Sequence, residues 1–167
     1  MSAGFRGFMV TRSGRCALGA WVVLIVVSVP APARAQSIGF VGGGTIDPHQ
    51  AYGGVFWESP DLGGPFRIRP GIDGGTGDGL WLVSINIDLL GRFPLGQSGW
   101  FLIQGGGPTI VIATLNNVVN SPKEVHAGGS YLFGFAHKKG FFGEFRIGGG
   151  GYVPNLKMGA GWSISLK

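Results

Sequence analysis

Past residue 35 the chain has no cysteine, almost no net charge and no helical apolar stripe, and its hydrophobicity does not come in blocks. Each absence excludes something. Cys16 is the one cysteine and lies before that point, so disulfides and thiol chemistry are excluded from the remainder. Four of the 13 basic residues (Arg6, Arg12, Arg15, Arg34) also lie before residue 36, with no acidic residue among them. Nine basic groups then face eight acidic ones, a net charge near +1 in place of the +5 of the whole chain. The basic balance therefore gives no ground for a nucleic-acid partner. Glycine, by contrast, is abundant, with 34 residues clustered at Gly42–Gly44, Gly105–Gly107 and Gly148–Gly151. At about 1 kcal/mol per helical position relative to alanine, that density argues against long helices.

What is present begins with a three-part N-terminal segment. The basic residues Arg6, Arg12 and Arg15 precede an apolar run from Ala17 to Val29, followed by small residues at Ala33 and Ala35. This is the layout of a secretory signal peptide, residues 1–35, with an A-x-A cleavage site and a mature start near Gln36. The alternative is a membrane anchor, but the run is shorter than the roughly 18–20 residues that a bilayer-spanning helix needs. Cys16 precedes the apolar run, so lipidation is not expected. The 132 residues from 36 to 167 suit one domain.

Hydrophobicity then alternates residue by residue. Met158, Ala160, Trp162, Ile164 and Leu166 fall on one face, and Lys157, Gly159, Gly161, Ser163, Ser165 and Lys167 on the other. Strands alternate in this way and helices do not. The same pattern predicts eight strands, over Ile38–Ile46, Gln50–Glu58, Phe66–Gly74, Leu80–Leu90, Trp100–Ile112, Glu124–Ala136, Phe141–Tyr152 and Leu156–Leu166. The connections, such as Ser59–Pro65, Gly74–Gly79 and His137–Gly140, are too short for crossover helices, so neighbours must be antiparallel hairpins. The longest and most polar connection is the fifth, Ala113–Lys123. Together these features predict an all-β fold: an eight-stranded antiparallel up-and-down transmembrane β-barrel preceded by a cleavable signal peptide.

Parity sorts the side chains. In the fourth strand Trp81, Val83, Ile85, Ile87 and Leu89 share one face, and Ser84, Asn86 and Asp88 share the other. Seven charged residues are expected to project inward: Glu58, Arg67, Arg69, Asp73, Asp88, Glu144 and Arg146. An eight-stranded barrel leaves room only for side chains, so these charges must pair or stay hydrated. The aromatics Trp57, Trp81, Trp100, Phe101, Phe141 and Trp162 lie mostly near strand ends, where an interfacial belt belongs. In this scheme the greasy side of every strand faces acyl chains and the ionic side faces the lumen.

The signal peptide, the eight alternating segments, the long fifth connection and the closing strand Met158–Leu166 (MGAGWSISL) resemble the small eight-stranded outer-membrane β-barrel family of the OmpA transmembrane domain and OmpX. The resemblance covers essentially all of residues 36–167. It implies an outer-membrane location in a Gram-negative-type bacterium, contact with membrane lipid and lipopolysaccharide, insertion by the outer-membrane assembly machinery, and a monomer. In that family the last strand usually ends on an aromatic residue; here the end is Ser165, Leu166, Lys167.

Catalytic and metal signals are weak. Barrel enzymes that modify lipid A carry a histidine and a serine, which invites a pairing of His126 with Ser130. A strand rises about 3.3 Å per residue, so residues four apart along it are separated by about 13 Å, beyond a hydrogen bond. Asp47 and His49 supply only two possible metal ligands. Gly74–Leu80 (GGTGDGL) fails the G-x-G-x-x-G template, because Leu80 stands at the third glycine and no helix follows. Lys138 and Lys139 read as a solvated turn. No catalytic residue, cofactor or metal site is therefore expected. Three function classes remain in view: a structural or adhesive barrel filled by ion pairs, a narrow porin-like pore or carrier for small solutes, and a lipid-modifying enzyme.

Overall fold

The computed structural model describes residues 36–115 and 122–166. The segment expected to be a signal peptide, residues 1–35, the middle of the fifth connection, 116–121, and Lys167 lie outside the described residues. Eight strands follow in order: β1 (Gln36–Ile46), β2 (Gln50–Glu58), β3 (Phe66–Gly77), β4 (Leu80–Pro94), β5 (Trp100–Leu115), β6 (Glu124–His137), β7 (Phe141–Gly149) and β8 (Leu156–Leu166). Each pairs antiparallel with its neighbours, and β1 pairs with β8 in a register running from Gln36↔Leu166 to Ile46↔Leu156, which closes the sheet into a barrel. Closure leaves no edge strand with unpaired backbone groups.

The wall has two rims. The proximal rim holds the start of β1, the end of β8 and the connections 59–65, 95–99 and 138–140. The distal rim holds the connections 47–49, 78–79 and 150–155, the end of β5 and the start of β6. Local chemistry sets these turns. Asp78 and Gly79 join β3 to β4 with φ of 46° and 70°, a two-residue hairpin whose positive dihedrals suit an Asp-Gly pair and match the twist of the flanking strands.

Several strand ends differ from the sequence expectation. β3 and β4 run on to Gly77 and Pro94, because glycine and proline look like turns in a sequence but are carried here by a closed ladder, and β5 runs on to Leu115 because its last three residues pair with the start of β4. β7 stops at Gly149 instead of Tyr152, since Gly150 and Gly151 take φ of 100° and 53° and turn the chain.

The core lies inside the barrel. Towards the proximal rim Phe56, Leu90, Ile103, Leu132, Ala136 and Phe142 form one buried apolar layer, and towards the distal rim Leu82, Val111, Ala113 and Val153 form another. The inward face of β4 shows the order directly: Leu82, Ser84, Asn86, Asp88, Leu90, all buried, and then Arg92. The expectation that every greasy face points outward is therefore corrected. Polar residues sit in the middle of the lumen and are bracketed by apolar side chains, because a lumen this narrow must be filled and hydrocarbon fills it where no charge has a partner.

Outside, the distribution is the reverse of a water-soluble protein's. Phe40, Trp81, Ile85, Leu89, Ile110, Val125, Phe145, Ile147, Trp162 and Ile164 are exposed, on strands all the way round the barrel. Monomeric proteins in water rarely display a continuous apolar surface of this extent.

Candidate functional site

Parity alone brings charged side chains from β2, β3, β4, β7 and β8 into one lumen. Arg69 is the hub: its Nη2 lies 2.9 Å from Glu58 Oε1, and its Nη1 donates to Glu144 Oε2 at 2.7 Å. The guanidinium also sits 3.8 Å from the centroid of the Phe56 ring and 5.6 Å from that of Phe142. Its charge is therefore compensated by two carboxylates and by two ring faces.

A second centre adjoins it, since Asp88 is the ladder partner of Arg69. Arg146 grips Asp88 in a two-pronged pair, Nη1 to Oδ1 at 2.9 Å and Nη2 to Oδ2 at 2.8 Å, and also donates to Ser130 Oγ at 2.8 Å. Ser130 lies 3.1 Å from Thr109 Oγ1, Thr109 donates to Asn86 Oδ1 at 2.9 Å, and Asn86 donates to Asp73 Oδ2 at 2.9 Å. Lys157 Nζ closes the chain on Asp73 Oδ1 at 2.5 Å. Six strands, β3 to β8, are thus tied together in the lumen by side chains alone.

The seven residues expected to point inward occupy these positions. Glu58, Arg69, Asp88, Glu144 and Arg146 are buried, and Asp73 pairs with Lys157. Arg67 stands nearer the proximal rim and donates to Asp61 Oδ1 at 2.7 Å while approaching Glu58 at 3.5 Å. Two cations were missed. Lys157 lies on the polar face of the last strand and takes its partner from β3, at Asp73. Arg92 lies past the expected end of the fourth strand; its Nη1 stands 3.8 Å from Glu58. With both added, five cations meet the four lumen carboxylates and Asp61 at the rim, so the interior is neutral. Breaking one pair leaves a buried charge uncompensated, which is far more costly than the pair's net contribution.

The aromatic residues divide unevenly. Trp100, Phe141 and Trp162 gather at the proximal rim: Trp100 lies 5.0 Å from Phe141 edge-on, Phe141 lies 6.1 Å from Trp162, and His137 stacks on Phe141 at 4.7 Å. Trp57 is one residue from the proximal end of β2, whereas Trp81 stands at the distal end of β4. Phe101 departs from the belt assignment. It has the parity of buried Ile103, and Arg92 Cζ lies 4.4 Å from its ring centroid, so it lines the mouth of the lumen. Neighbouring strand residues cannot share a face, and Trp100 takes the outward position.

The other candidates find separate partners. His126 Nε2 lies 3.2 Å from Glu124 Oε2, and its ring packs edge-on against Tyr152, whereas Ser130 is engaged by Arg146 and Thr109. His49 Nδ1 lies 3.5 Å from Asp78, while Asp47 accepts a hydrogen bond from Asn155 Nδ2 at 2.6 Å. Among the described residues no group of three His, Cys, Asp or Glu is placed to hold a metal ion. No protein-family model matches the chain, and neither does any curated protein.

Proposed function

We propose that this barrel spans the outer membrane of a Gram-negative-type bacterium as a non-enzymatic, monomeric structural or adhesive protein, similar in kind to the small barrels of the OmpA transmembrane domain and OmpX. The observation that carries the reading is the inversion of the wall: exposed apolar residues encircle the outside, while Arg69, Asp88, Glu144 and Arg146 are buried within. Water would penalise the apolar outer face and a bilayer does not, while the inner charges are compensated by one another. Under this reading the wall contacts membrane lipid and lipopolysaccharide, residues 1–35 direct export, and the assembly machinery inserts the barrel with no nucleic-acid partner.

The closed ladder and crossed ion pairs support a rigid anchor whose distal rim, where β5 ends and β6 begins, faces outward for surface contact. A conducting pore fits less well, because apolar layers bracket the ion pairs on both sides. The test combines two measurements. Cell fractionation should enrich the protein in the outer membrane, and the unboiled protein should migrate faster than the boiled protein on a denaturing gel. Recovery in the soluble fraction, or identical mobility, contradicts the proposal.

A further inference from the structure

At the proximal rim the lumen opens into a cup with a volume of about 580 Å3. Arg67, Arg92 and Phe101 line it from inside, Lys138 and Lys139 line it from the 138–140 turn, and Trp162 lines it from β8. Directly beneath the cup the lumen is filled by the proximal apolar layer containing Phe56, Leu90 and Phe142. The cup is therefore blind, and its electrostatics are one-sided: four cations line it against the single carboxylate of Asp61.

The cations differ in how far they are committed. Arg67 is bonded to Asp61 at 2.7 Å. Arg92 is held by its ring contact with Phe101 and by a carboxylate no nearer than 3.8 Å, and its Nε is buried without a hydrogen-bond partner. Lys138 and Lys139 enter no ion pair among the described residues. A buried guanidinium N–H left unbonded is costly, and natural structures seldom keep one without a use.

We propose that this cup binds a phosphate group, with Arg92 as the fork and Lys138 and Lys139 as the supporting charge. A guanidinium offers planar paired donors that match two phosphate oxygens, and lysine supplies point charge from a flexible stem. Two sources could present that group. Trp162 and Ile164 also line the cup and are 50% and 54% exposed on the outer face, so the acyl chains of an anionic lipid could leave the cup along them. A soluble phosphate would enter from the aqueous side. The cup does not depend on the membrane reading; only the lipid source does.

The test is a pair of titrations of 15N-labelled protein in maltoside micelles, which carry no phosphate. Inorganic phosphate is the first probe and short-chain phosphatidic acid the second, and the Arg92 Nε–H and Trp162 indole signals are followed. The expected result is a saturable shift that is weakened at least fivefold by Arg92→Gln and by the double variant Lys138→Gln/Lys139→Gln, and left unchanged by Lys123→Gln at the distal rim. At least tenfold tighter binding of phosphatidic acid supports the site with lipid as its source, and equal binding supports it with soluble phosphate. Absence of a saturable shift with both probes, or wild-type affinity in both folded variants, overturns the proposal. Folding is checked by gel mobility, and if Arg92→Gln does not fold, the exposed lysine pair decides alone.

Discussion

On the inner face of β4, Leu82, Ser84, Asn86, Asp88 and Leu90 are buried; one residue along, Trp81, Val83, Ile85, Ile87 and Leu89 are 37–56% exposed. The two faces belong to one strand and follow opposite rules. Inside, the buried charges pair with one another and apolar side chains fill the space on either side of them. Outside, side chains need only be apolar, and their exact shapes matter little. A sheet can satisfy both demands because its period of two separates the faces completely. Two of the glycines show the same division. A Cβ on inward-facing Gly107 would run into the carbonyl oxygen of Ile87, whereas one on outward-facing Gly53 would make only an ordinary contact, 3.9 Å from Val41 O.

That contrast can be broken at its strongest point first. Gly107→Val should prevent the barrel from closing, so the unboiled protein should lose its fast-migrating band. Next, Asp88→Ala leaves Arg146 buried without its carboxylate and should cost about 3–5 kcal/mol in urea unfolding from vesicles. Adding Arg146→Met should recover most of that loss, since removing both charges leaves nothing unpaired.

The outer face is probed by Ile85→Arg, whose neighbours across the ladder are Ile72 and Ile110. In vesicles it should cost about 2–4 kcal/mol, where a water-facing surface would accept the charge with little effect. Last, Gly53→Ala should change stability by no more than about 0.5 kcal/mol, the range for surface positions free of special backbone demands. A large loss there would show that the outer wall is as tightly specified as the inner one.

Much of this architecture is legible in the chain because alternation survives folding unchanged. Ser84, Asn86 and Asp88 on one face and Val83, Ile85 and Ile87 on the other can be sorted without coordinates. The less legible features arise where one rule had to serve two purposes. Phe56 and Phe142 have inward parity, but a rule that sends apolar residues to lipid hides them, although Arg69 uses their ring faces. Lys157 shows its parity but not its partner, which is 84 positions away at Asp73. Arg92 and Phe101 sit beside Pro94 and the 95–99 turn, where turn-forming residues obscure the strand ends. The cup at the proximal rim is built from β1, β3, β4, β5, β6, β8 and two turns, so no local pattern announces it.

The most direct test places a paramagnetic probe in each solvent in turn and reads the methyl signals of paired residues on one ladder. A spin-labelled fatty acid in the micelle interior should broaden Val83, Ile85 and Ile110 and spare Leu82, Val111 and Leu132, while a water-soluble gadolinium chelate should leave the first three sharp. Broadening of Val83, Ile85 and Ile110 by the chelate, with no effect from the fatty acid, would contradict the claim that the outer wall faces acyl chains.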